Sequence, residues 1–384
     1  MVSLVPRSKP ASTGTQKVLR VPATATVTLI VTCAALLKVV YLENRSPCNP
    51  VTIPIVPNKN VSDKTDPVPP HHVAKIWQVG VVGLSPAGLF HLETLSLCDE
   101  VHLAGAYDAS PERRSLVAGS PFPLWDQPPS ESARDEVEAL FLVDDISAEA
   151  VALALQAGQH VVLHRPWCFS AAELRKLDQQ AASGRSLATI ATLRRGSADF
   201  LAAMGAIGTG RLGTLHSVML SVQEKRVPQE ASEVGLLREF GYHHLDQLRI
   251  LHPSPPQRVF GKRSGRSDSA SADGFLAIVE FANGCTARIE INLASRLGLR
   301  TGWVLEGGAG SFRGDRLFTE TADGEIVDEP IEKPPFPAES LIHQLVTAWR
   351  GEPTTLPTLA DAAEVVQLIE ALEQSLVSGE VVRM

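Results

Sequence analysis

Two glycines, Gly83 and Gly88, close a short apolar run (76–82) and open a helical stretch, which leads to a second apolar segment (101–107) and then to Asp108. Strand, tight turn, helix, strand and acid in that order build a βαβ unit with parallel strands. Glycine at the turn lets the backbone approach a pyrophosphate, whose charge is favoured at the N-terminus of the following helix. Asp108, about twenty residues further on, is placed to accept hydrogen bonds from a ribose. The middle glycine of the usual GxGxxG pattern is Ser85, so the turn reads GxSxxG. Gly83, Leu84, Ser85, Pro86, Ala87, Gly88 and Asp108 are therefore the candidate dinucleotide-binding residues.

A chain of 384 residues that is 44% hydrophobic can bury a large core, and its length suggests two domains. Net charge of −8 argues against a polyanionic partner, which excludes nucleic acid. Cys33, Cys48, Cys98, Cys168 and Cys285 lack CxxC spacing and fit reduced thiols rather than a disulfide framework; no zinc pattern occurs and no metal is expected.

The first seventy or so residues are a different material. Residues 1–22 form a basic leader with Arg7, Lys9, Lys17 and Arg20 and no acid, followed by an apolar stretch at 23–42. A basic leader before an apolar stretch reads as a signal anchor. The stretch contains four threonines and Lys38, which lies near one end where it can snorkel. A membrane tether through 23–42 is the expectation, with an exported leader, or an upstream mis-start or disordered tail, as the alternatives, and the cytoplasm as the alternative location. Residues 43–72 carry Pro47, Pro50, Pro54, Pro57, Pro67, Pro69 and Pro70 and read as an extended linker, with His71 and His72 as its exposed end.

Downstream of Asp108, residues 137–143 have a buried-strand pattern, 148–158 a small-residue helix ended by glycine, and 160–163 another strand. Ser170 and Glu173 form a capping box for a further helix. Alternating strands and helices over 73–192 imply an α/β domain with a Rossmann-type, doubly wound parallel sheet. Residues 193–384 change texture: hairpin signals at Asn283-Gly284 and Asp323-Gly324 imply an α+β domain with a largely antiparallel open sheet. Helices are expected before it (236–251) and after it (339–349 and 359–376), the last of them packing back on the first domain. The basic cluster 262–266 reads as a solvated loop.

The order of these segments resembles the glucose-fructose oxidoreductase, inositol dehydrogenase and MocA (Gfo/Idh/MocA) family of NAD(P)-dependent oxidoreductases, over about residues 75–384. The aliphatic GxGxxG turn is similar to 82–88, and the acid after strand two falls on Asp108. An AleaGkhV-type helix end is matched by 154–161, and a GxHxxD helix by Gly241, His243 and Asp246. The closing signature is matched from Thr358 to Val382, including Asp361, Ser375 and Gly379.

That resemblance implies hydride transfer between NAD, or NADP, and a hydroxyl or keto group of a sugar- or cyclitol-like substrate. The acid at 108 favours NAD, because it repels a 2′-phosphate. Where the family has the lysine of a Glu-Lys-Pro segment, this chain has His164-Arg165-Pro166, which places Arg165 and Pro166 beside the cofactor. Arginine does not trade protons, so Arg165 is expected to act as an electrostatic clamp. His243 is then the base or acid, and Glu239, one turn earlier, its orienting acid. By i, i+4 and i, i+3 spacing, Glu239, His243 and Asp246 converge beneath the substrate. The structural alternative for Asp246 is an anchor to backbone or Arg249, and for His244 a packed position on an apolar stripe. Asp144 and Asp145, after the strand at 137–143, stand where a polar turn is usual and would repel phosphate at close range. The open sheet face and the resemblance imply a homo-oligomer. The rival to the enzyme is a family member of impaired activity that serves as a ligand-binding scaffold.

Overall fold

The computed structural model describes residues 75–129, 137–144, 146–184, 186–225, 233–264, 273–331 and 338–384. The segments at 1–22, 23–42 and 43–72, with His71 and His72, lie outside the described residues, as does Asp145. Everything below concerns the described residues of the unit 61–384. Among the described residues, no helix is long and apolar enough to cross a membrane.

The first half alternates strand and helix: β1 (Trp77–Val82), α1 (Pro86–Ser96), β2 (Val101–Tyr107), α2 (Pro111–Ser115), β3 (Ala139–Leu142), α3 (Ala148–Gln156), β4 (His160–Leu163), α4 (Ala171–Gly184) and β5 (Ala188–Ile190). All pairings in this sheet are parallel and the strand order is β2-β1-β3-β4-β5. A parallel bridge from Ala106 to Leu124 extends the sheet beyond β2. The order reverses between β1 and β3, and ligands of such sheets bind outside the carboxyl ends of the strands at that switch point.

Close packing at the turn is what sets α1 against β1. Gly83 has φ of +98°, and a Cβ added to Gly88 would stand 1.9 Å from the Gly83 carbonyl oxygen. Pro86 starts α1 at a position that has no amide to lose, and Gly88, His91, Leu92 and Leu95 form its buried face.

The second half continues with α5 (Ala198–Gly208), β6 (Leu215–Gln223), α6 (Glu233–Leu236), a π-turn (Leu237–Gly241) and α7 (Tyr242–Leu251). Strands β7 (Pro256–Ser264), β8 (Gly274–Phe281), β9 (Thr286–Asn292), β10 (Arg300–Gly307), β11 (Gly310–Arg313), β12 (Arg316–Glu320) and β13 (Ile326–Pro330) follow. Then come α8 (Ala338–Trp349), α9 (Leu359–Ser378) and the short β14 (Val382–Arg383). These strands form one sheet in the order β13-β12-β11-β10-β6-β9-β8-β7-β14. Within this sheet, among the described strands, only the β6–β9 pairing is parallel. Both hairpins form where Asn283-Gly284 and Asp323-Gly324 stand, and Gly284 and Gly324 take positive φ. Lys262 and Arg263 are a correction: they lie in β7, paired with β8, and not in a loop.

The long α9 begins with a complete Thr358–Asp361 capping box and ends at Gly379 in the left-handed conformation. It returns to the first half, where Glu370 accepts from the Ala171 amide at 3.1 Å and Gln367 from Arg175. Gly88→Ala tests the packing of the turn. The added methyl forces α1 away from β1, and an overpacking loss of about 1–3 kcal/mol is expected in urea unfolding. An unchanged midpoint would show that α1 does not depend on this contact.

Candidate active site

A cavity of about 330 Å³ opens at the switch point, walled by Gly83, Asp108, Arg113, Asp144 and Arg165 together with apolar neighbours. Each wall comes from a different carboxyl end: Gly83 follows β1, Asp108 follows β2, Asp144 follows β3 and Arg165 follows β4. A larger cavity of about 380 Å³ lies between α7 and α9, but it holds none of the predicted site residues. Arg249 is pinned there by Asp361 at 2.6 Å and Glu364 at 3.0 Å.

Asp108 is only 5% exposed, and both of its oxygens are engaged. Oδ2 accepts from the Leu84 amide at 2.7 Å, Oδ1 accepts from the Ser110 amide at 2.7 Å, and Arg113 Nη1 lies 3.4 Å from Oδ2. Burial alone would raise its pKa, but these hydrogen bonds and the guanidinium hold it below the usual carboxylate range, so it stays ionised. Arg113 Nη1 also reaches Asp144 Oδ2 at 2.9 Å, and that same oxygen lies 3.4 Å from the Ser85 amide. Two amides of the turn thus face protein carboxylates. Ser85 is buried with negative φ, so its side chain strains nothing, and its Oγ has no hydrogen-bond partner. Leu84 and Gly88 are buried, while Pro86 is exposed.

Beyond Arg165 the chain makes a short 3₁₀ turn, Pro166–Cys168, with Pro166 and Trp167 buried. Arg238, from the π-turn, holds it: Nη1 donates to the Trp167 carbonyl at 2.7 Å while Nε and Nη2 grip Glu373 of α9 at 2.5 and 2.7 Å. The Trp167 ring meets His243 edge-on, with centroids 5.3 Å apart. Arg165 and His243 are thereby brought to neighbouring turns.

The expected convergence of Glu239, His243 and Asp246 does not occur. A π-turn inserts an extra residue per turn, which breaks the i, i+4 relation between 239 and 243, and Glu239 is exposed. Asp246, 1% exposed, forms a bidentate pair with Arg195 at 2.7 and 2.6 Å. Its partner is therefore Arg195, not backbone or Arg249, and it anchors α7 to the loop after β5. Gly241 packs tightly: a Cβ there would meet the Leu237 side chain at 2.9 Å and the Phe275 ring at 3.1 Å.

His243 is left without an orienting acid, and its Nδ1 is buried with no partner. Burial, then the neighbouring Arg194, His164 and His244, push its pKa well below the ordinary value, so the imidazole is neutral and a weak base. His164 and His91 were not singled out by sequence. They hydrogen-bond at 3.1 Å, and burial lowers them to about 4 and about 3. A histidine on the inner face of α1 beside Leu92 and Leu95 was the available signal for His91. His244 is buried against Gln247 and lowered to about 3. Among the described residues, no cluster of three or more metal-ligating side chains occurs.

A five-stranded parallel sheet with the cavity at its switch point, followed by a nine-stranded, mostly antiparallel sheet, defines an α/β protein of dinucleotide-binding fold. The GFO/IDH/MocA C-terminal domain matches residues 200–313. Inositol 2-dehydrogenase of Pseudomonas fluorescens is 25% identical over 227 residues, which cover 56% of this chain and 67% of the relative. The fold is shared with an NAD-binding protein from Listeria innocua at TM-score 0.72 and 21% identity, covering 81% of this chain and 100% of that one. A protein of gentamicin A biosynthesis, solved in complex with NAD, follows at TM-score 0.68 and 20% identity, covering 86% and 99%. Residues 200–313 thus carry the C-terminal domain of the Gfo/Idh/MocA family, and the fold of the whole is that of these solved structures.

Two outcomes test this geometry. Arg195→Ala leaves the buried Asp246 carboxyl without its partner, and a loss of roughly 3–5 kcal/mol in unfolding free energy is expected; a loss under about 1 kcal/mol would make the pair incidental. Below pH 6.5 the unfolded chain protonates His91, His164 and His244, while the folded protein holds them neutral until about pH 4 to 3. Stability therefore falls as the pH drops through that window, by up to roughly 1.4 kcal/mol per pH unit for each histidine. Urea midpoints that stay level from about pH 7 to about pH 4.5 would contradict the burial of these rings.

Proposed function

We propose that the protein is an NAD(P)-dependent oxidoreductase acting between a nicotinamide dinucleotide and a hydroxyl or keto group of a sugar- or cyclitol-like substrate. The observation that carries this reading is the cavity at the switch point, which gathers Gly83, Asp108 and Arg165. The Trp167 contact brings His243 to the adjoining turn.

The residues fit a dinucleotide. Gly83 and Gly88 leave no room for side chains where the backbone must come close, and the unpartnered Ser85 Oγ supplies a donor at the N-terminus of α1. Asp108 provides a fixed negative charge where a ribose is read, which supports NAD over NADP. When bound, the dinucleotide supplies the hydride acceptor or donor. The chain's own part is to bind, orient and move one proton. Arg165 faces the cavity as a permanent cation suited to steady an alkoxide oxygen, and His243 on the adjoining turn is assigned the hydroxyl proton on its position, against the lowered basicity that burial imposes. Glu239 has no part in this scheme because it is turned to solvent. The relatives that support the substrate class are an inositol 2-dehydrogenase and a 1,5-anhydro-D-fructose reductase.

The apolar residues Leu297, Leu299, Ile326 and Val327 are exposed near the β10–β13 end of the large sheet and support pairing with a second copy. Residues 23–42 are proposed to tether the chain to a membrane. Sedimentation velocity on the folded unit and fractionation with and without residues 1–42 test these two points.

For the activity, the protein is assayed with NAD⁺ or NADP⁺ against a panel of cyclitols and sugars, following nicotinamide absorbance. His243→Ala is expected to lower kcat by roughly 10²–10⁴-fold. Arg165→Lys, which restores a group able to exchange a proton, is expected to raise it. No nucleotide binding and no turnover by the parent or by Arg165→Lys would overturn the oxidoreductase reading.

A further inference from the structure

The anion-binding side of the Gly83–Gly88 turn is already partly occupied by the protein itself. Asp144 Oδ2 lies 3.4 Å from the Ser85 amide, close over the turn: a Cβ on Gly83 would stand 2.9 Å from it. A carboxylate there takes the place of an anion at the N-terminus of α1, where amides and the helix dipole favour negative charge. It is neutralised by Arg113 Nη1 at 2.9 Å, whose other carboxylate neighbour is Asp108 at 3.4 Å. Asp108 cannot give way, because it is 5% exposed and fixed by two backbone amides. Asp144 can: its side chain is 21% exposed, its amide contact is long, and its one short bond is to an arginine that is 47% exposed at the cavity mouth.

We propose that Asp144 is a resident stand-in for the cofactor's pyrophosphate, and that Arg113 is a phosphate ligand that exchanges Asp144 for the dinucleotide on binding. This rests on the oxidoreductase reading and adds two residues to it. Binding swaps one carboxylate for phosphate on the same guanidinium and the same Ser85 amide, so its cost is the displacement of Asp144. Asp144 therefore weakens cofactor affinity, and Arg113 strengthens it. The exchange selects for ligands that carry a pyrophosphate, because only these repay the broken ion pair.

The test is a double-mutant cycle read by binding rather than turnover. NADH and ADP-ribose, which has the pyrophosphate but no nicotinamide, are titrated by calorimetry into the full chain and into Asp144→Asn, Arg113→Ala and the double variant. Asp144→Asn keeps the shape and removes the charge; it is expected to tighten both ligands at least about tenfold. Arg113→Ala is expected to weaken both, and the gain from Asp144→Asn should shrink once Arg113 is absent, because there is no guanidinium to release. Asp144→Ser, with thermal melts of every variant, guards against a misfolded Asp144→Asn. If the parent binds NADH and neither Asp144 variant binds it more tightly, this proposal fails while the oxidoreductase reading stands. Equal gains with and without Arg113 would overturn the exchange. If no protein in the set binds either ligand, the oxidoreductase reading fails, and this inference with it.

Discussion

The approach of Gly88 to the Gly83 carbonyl governs the nucleotide half of the molecule. With only 1.9 Å between that oxygen and a notional Cβ, α1 starts directly over the end of β1. Its first amides then face the same crevice as the carboxyl ends of β2, β3 and β4. Everything charged at the site is arranged around that crevice. A bulkier residue at 88 would tilt the helix and carry its amides away from Asp108 and Asp144 together.

The site that results divides into two electrostatic regions. At the turn, Asp108, held ionised, shares Arg113 with Asp144, and Arg165 lines the same cavity. Toward the open-sheet domain the groups are aromatic or neutral: His91, His164, Trp167, Tyr242 and His243 are in ring contact with one another. Burial separates the two regions. It strips the imidazoles of their protons while the hydrogen bonds on Asp108 keep it charged. The first region suits recognition of a charged ligand, and the second keeps its imidazoles neutral and weakly basic.

The strands, their parallel pairing in the first half and the two hairpins were legible from apolar runs and turn residues. Asn283-Gly284 and Asp323-Gly324 place the chain reversals because glycine reaches positive φ there. The π-turn at Leu237–Gly241 was not legible. One extra residue in a helix leaves no periodic trace over so short a span, and Glu239 was accordingly placed beside His243 when it faces solvent. The ion pairs Arg195–Asp246 and Arg238–Glu373 join residues 51 and 135 positions apart, and no local pattern distinguishes either arginine from a solvated one.

The amino-acid order alone determined the βαβ turn, the switch from a parallel to a mostly antiparallel sheet, and the candidates Gly83, Asp108, Arg165 and His243. These follow from backbone sterics and hydrophobic period, which act over a few neighbouring residues. Only the tertiary structure decided which charges meet. Asp246 is an anchor and not part of the site, Arg113 and Asp144 belong to the cavity, and His243 is neutral without an acid to orient it. A side chain's charge state and partner depend on burial and on groups brought from distant strands, and those are fixed only when the two sheets and α9 have packed.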